Sequence, residues 1–150
     1  YGKLEASDEE VVQAARLVGA DEFIGKMPEG YQSDAGESGG LLSAGQKQLI
    51  SFARAILSDP QVLVMDEATS SVDTETEQVI QQGLRRVLEG RIAFIIAHRL
   101  STIRNATRII VIDHGSIIEE GSHETLMKQR GHYYELYRQQ SRQEASRQLG

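Results

Sequence analysis

The period of apolar positions changes several times along the chain, and each change predicts an element. Over residues 7–20, Ser7 precedes Asp8, Glu9 and Glu10, and Val11, Val12, Ala15, Leu17 and Val18 form an apolar stripe closed by Gly19. A capping serine, an acidic first turn and a terminal glycine predict a helix. Residues 28–41 hold Pro28, Gly30, Gly36, Gly39 and Gly40 and are expected to be loop. Ser43 then caps a second helix to about Ser58, with Leu49, Phe52, Ala53, Ile56 and Leu57 at helical spacing and Asp59-Pro60 as its stop.

Val62-Leu63-Val64-Met65 is apolar at every position and runs into Asp66-Glu67. Continuous apolarity predicts a strand buried on both faces, as in a parallel sheet. A helix over about 74–88, stopped by Gly90, leads to a second such strand, Ile92 to Ala97, which ends at His98. A short helix separates it from a third strand, Arg108 to Asp113. His114-Gly115 folds that strand back on residues 116–119 as a hairpin. Two helices, about 122–129 and 132–147, finish the chain. This order predicts the α/β class with a mostly parallel sheet.

Composition narrows the class without naming a function. The 150 residues are 39% hydrophobic and 25% charged, which suits a soluble globular fold. No cysteine is present, which removes disulfides and thiolate metal sites. The longest apolar run is far too short to cross a membrane. A net charge of −6 argues against non-specific nucleic-acid binding, which needs a basic face. All of that excess lies in residues 1–40, with nine acids against three bases, and a solvated helical face accounts for it.

In such sheets ligands bind off the carboxyl ends of strands. Two strand ends here carry Asp66-Glu67 and His98. Paired carboxylates at the end of a buried strand are costly unless something neutralises them, and a magnesium–phosphate ligand would. An Asp after four apolar residues is the Walker B pattern, with the next Glu placed to deprotonate an attacking water. Taken alone, the two acids could equally cap the next segment. Leu42-Ser43-Ala44-Gly45-Gln46 stands at a helix start, where free amides, a hydroxyl and the positive helix end suit an anion or, more simply, an ordinary cap. His98, by itself, could be a satisfied core histidine.

Together these segments resemble the ATP-binding cassette (ABC) nucleotide-binding domain. Leu42–Gln46 resembles its signature motif, Val62–Glu67 its Walker B strand, Ala68-Thr69-Ser70-Ser71-Val72-Asp73 its D-loop, and His98 its switch histidine. The order and spacing of all four match, and the stretch from Ile103 to Gly115 is similar to the exporter branch. The resemblance covers about residues 1–138, a helical and signature part over 1–58 and a Walker B to C-terminal part over 59–138. A polar tail, 139–150, remains. It implies a partial P-loop NTPase-like fold with a remnant of the helical signature subdomain.

The roles it implies are Asp66 binding Mg²⁺ through water, Glu67 as the base and His98 on the γ-phosphate. Asp73 would join two active sites, and Ser43, Ala44, Gly45 and Gln46 would close on ATP held by a second, head-to-tail cassette. A transmembrane domain would be the other partner, with nucleic acid excluded and the cassette on the cytoplasmic face of a membrane. Ala44 departs from the usual signature glycine, so its Cβ is expected to weaken closure.

The phosphate-cradling motif G-x-x-x-x-G-K-[ST] does not occur. Its nearest imitation, Gly19 to Lys26, has one residue too many between the glycines and Met27 after the lysine. The chain is therefore expected to be the C-terminal portion of a cassette, inactive without that cradle. Chromosome-maintenance and DNA-repair ATPases are the alternative within the family, but neither sustained heptads nor a basic face is present. A more distant alternative is a serine hydrolase, because Gly36-Glu37-Ser38-Gly39-Gly40 fits G-x-S-x-G. It lacks the buried strand before and the helix after that such a nucleophile needs. Arg99 could touch phosphate or form a surface ion pair. His123 and His132 are isolated, and Tyr133, Tyr134 and Tyr137 are expected to pack the terminal helix on the sheet.

Overall fold

The computed structural model describes residues 3–66, 74–98 and 100–148. The chain divides into two compact units. One comprises residues 3–65 and 74–94, and the other residue 66 together with 95–98 and 100–148.

The first unit is built around three helices: α1 (Asp8–Val18), α3 (Ala44–Ser58) and α4 (Thr74–Leu88). Local chemistry sets the ends of α1. The Glu10 amide donates to Ser7 Oγ while the Glu10 carboxylate accepts from the Ser7 amide, and Gly19 closes the helix at a left-handed φ of 78°. A short helix, α2 (Asp21–Gly25), follows, and single 3₁₀ turns at Gly30–Gln32 and Glu37–Gly39 interrupt the glycine-rich loop. Ala15, Val18, Ala20, Ile24, Leu49, Phe52, Ile80, Leu84 and Val87 form one buried core. The helices approach closely at Gly83, where a Cβ would stand 2.9 Å from the Val18 carbonyl oxygen and 3.2 Å from the Phe52 ring. Only glycine fits that crossing without movement.

Strand β1 (Val62–Asp66) pairs with β2 (Ile92–Ile96). Both were expected to be buried on two faces, and the structure corrects this. Leu63 and Met65 pack on the helical core, but Val62, Val64, Ile92, Phe94 and Ile96 are all more than half exposed. The continuous apolar run therefore has one covered row and one open row.

In the second unit, α5 (Leu100–Asn105) leads to β3 (Ile109–Asp113) and β4 (Ser116–Gly121), followed by α6 (His123–Gln129) and α7 (His132–Gln148). Strands β3 and β4 form the expected antiparallel hairpin, turning at His114-Gly115 and bulged between Val111 and Ile112. Val111, Leu126 and Tyr133 are its buried centre, with Ile103, Ile109, Met127 and Tyr137 around them. The α/β class and the element order agree with the sequence reading. Helix α2 does not appear in that reading, because its five residues carry one buried side chain, Ile24, and no side-chain cap.

Candidate functional site

Ser43 is the N-cap of α3, with the extended backbone a cap needs. The Gln46 amide donates to Ser43 Oγ at 3.2 Å, and the Ser43 amide donates to Gln46 Oε1 at 2.9 Å. This reciprocal box occupies the Gln46 amide and one acceptor site of the hydroxyl, while the Ser43 O–H proton is not spent on it. Ser43 and Ala44 are exposed and Gly45 is buried. The turn thus offers a hydroxyl donor and first-turn amides at the positive end of a 15-residue helix.

In the second unit, β1 ends on Asp66 and β2 runs through Ala97 to His98. Pairing of the two strands brings these ends together, and His98 Nε2 lies 3.8 Å from Asp66 Oδ1. Both are open to solvent, the Asp66 side chain 75% exposed and the His98 side chain 44%. His98 is therefore not a core histidine. Its backbone carbonyl accepts a hydrogen bond from the Gln140 side-chain amide on α7. Glu67, the D-loop with Asp73, and Arg99 lie outside the described residues.

The ABC transporter family profile matches residues 5–70. The chain is 58% identical to an ABC transporter ATP-binding protein of Bacillus subtilis, YknV, over 93% of this chain and 23% of that protein. It is 53% identical to an ATP-dependent lipid A-core flippase of Legionella pneumophila, over 93% of this chain and 24% of the flippase. Among solved structures, a bacterial Atm1-family ABC exporter with ATP bound aligns at 42% identity with a TM-score of 0.83, covering 93% of this chain and 24% of the exporter. The chain belongs to the ABC transporter family. It spans about a quarter of the length of the curated relatives it matches.

Two imitations of other motifs lose their context in this cassette sequence. Gly19 ends α1 and Gly25 ends α2, so Gly19–Lys26 joins helix to helix and is no P-loop. Ser38 sits in a 3₁₀ turn with φ 53°, and the residues before it, 33–36, are neither strand nor helix. The strained serine therefore has no elbow around it.

Two of the three tyrosines pack as expected, whereas Tyr134 stands outside that cluster with the Arg138 guanidinium 5.4 Å from its ring centre. Tyr133 is buried against Val111 and Leu126, Tyr137 packs beside it, and His123 Nδ1 shares a 2.7 Å hydrogen bond with the Tyr133 hydroxyl. Burial pushes that hydroxyl up to about 12. Among the described residues no helix is long and apolar enough to cross a membrane. The polar residue the sequence reading passes over is Gln140. Its one signal is its spacing from Tyr133 and Tyr137, which continues their stripe along α7.

Proposed function

We propose that this chain forms part of the ATPase engine of an ABC exporter, hydrolysing ATP between two head-to-tail cassettes to drive transport across a membrane. The observation that carries the reading is the convergence of Asp66 and His98 at neighbouring strand ends. The capped, exposed turn at Ser43–Gln46 supports it, as does the likeness to an exporter solved with ATP bound. Partners of this kind are a second nucleotide-binding domain and a transmembrane domain, with the cassette on the cytoplasmic face of the membrane.

The donor set fits magnesium. Among the described residues no group of three or more His, Asp or Glu is gathered to cage a metal. Asp66 is a single exposed carboxylate, and magnesium retains most of its waters while taking one or two carboxylates alongside phosphate oxygens. When bound, the ion neutralises charge on the phosphates. Asp66 would hold that ion through water. Glu67 accepts a proton from the water attacking the γ-phosphate, and the His98 imidazole contacts a γ-phosphate oxygen. Asp73 links the two sites of the dimer. Ser43, Ala44, Gly45 and Gln46 close over ATP bound by the opposite cassette, with Ser43 O–H and the helix-end amides as donors.

Glu67→Gln in the full transporter carrying this stretch tests the assignment. Hydrolysis is expected to fall by about 10²–10⁴-fold, the size of a general-base contribution, while nucleotide binding persists. Retained turnover would remove Glu67 from its role.

A further inference from the structure

We infer that Gln140 on α7 is a positioning residue for His98. The inference rests on the role proposed above for His98, and it concerns how the imidazole is held.

Helix α7 is tied down at its start. Glu119, on β4, accepts the His132 amide at 2.6 Å and the Tyr133 amide at 2.8 Å, satisfying two first-turn donors with one carboxylate. The fit is tight, since a Cβ on Gly131 would fall 1.9 Å from Glu119 Oε1. Buried Tyr133 and its hydrogen bond to His123 set the rotation of the helix about its axis. Tyr133, Tyr137 and Gln140 lie four and three residues apart, on one face. Once the tyrosines are packed, Gln140 is aimed rather than free to choose its direction.

That direction leads to the His98 carbonyl, which accepts from Gln140 Nε2 across 42 residues of sequence. The carbonyl sits where the backbone leaves β2 and turns toward α5, the point from which the imidazole is hung beside Asp66. A donor on this carbonyl restrains the peptide that sets the side chain's origin. Gln140 touches no reacting atom. It acts through the His98 backbone, as supporting hydrogen bonds do in preorganised sites.

The test uses the full transporter and measures ATP hydrolysis. Gln140→Glu is isosteric but at neutral pH presents acceptors to a carbonyl, whereas Gln140→Lys keeps an N–H donor. Gln140→Glu is expected to lower kcat about three- to tenfold with the KM for ATP and the Tm unchanged, the effect of losing one hydrogen bond. Gln140→Lys is expected to restore most of the rate. In a His98→Ala background, where hydrolysis is expected to be reduced to a measurable residual rate, Gln140→Glu is expected to change that rate no further. Wild-type kcat in Gln140→Glu, or a further loss in the His98→Ala background, would overturn the inference while leaving the role of His98 intact. Full hydrolysis by His98→Ala would instead overturn that role, and the positioning inference with it.

Discussion

Ser43 Oγ accepts the Gln46 amide and so caps α3, and in the role proposed above its hydroxyl proton would go to a phosphate oxygen. The two uses separate by substitution in the full transporter. Ser43→Ala loses both, and its stability is expected to drop by about 1 kcal/mol. Ser43→Asp keeps the capping acceptor but has no proton to donate and brings a negative charge to the anion. Its Tm is expected to match wild type while ATP hydrolysis collapses, and hydrolysis at the wild-type rate would remove Ser43 from the site. The cap was legible in the sequence because Ser and Gln three residues apart form a local pattern. The exposure of Ala44 was not, because it depends on how the glycine-rich loop before it is folded.

At the scale of elements, caps and breakers locate α1 and α3 to within a residue or two, since each end is set by its own neighbours. The clamp of Glu119 on α7 belongs to another class. It joins residues 13 and 14 positions apart, and no local period announces it. Two tyrosine hydroxyls, Tyr133 on α7 and Tyr31 in the turn Gly30–Gln32, also supply a pH prediction. The hydroxyls of Tyr133 and Tyr31 are both raised from an ordinary 10.0 to about 12, chiefly by burial, with Tyr31 also donating to Asp21 at 2.7 Å. The folded chain then keeps protons that the unfolded chain releases near pH 10, so stability falls as pH rises. Urea midpoints are expected to hold steady up to about pH 10 and then decline through about pH 12. Tyr133→Phe is expected to flatten that decline, and an identical slope in the variant would contradict the burial of the hydroxyl.

For the whole molecule, the open apolar row on β1 and β2 has the largest consequence. Val64 is 77% exposed and Ile92 64%, in strands whose opposite row supports the helical core. Contiguous exposed apolar surface of this kind drives association. The 150-residue chain by itself is expected to bind a hydrophobic dye and to self-associate at micromolar concentration. Val64→Lys combined with Phe94→Lys is expected to reduce both, because both positions point away from the packed row. Light scattering that shows a monodisperse, dye-silent wild-type chain would contradict the exposure of this row.

The sequence by itself determined the family-bearing motifs, the order of the elements and most helix ends. These depend on residue identity and short spacing, which survive in a linear string. Tertiary structure alone decided which row of each apolar strand is covered, that Asp66 and His98 stand 3.8 Å apart, and that Gln140 reaches the His98 carbonyl. Each of those depends on strand pairing or helix packing between distant segments, and a contact between residues 32 or 42 positions apart has no periodic signature.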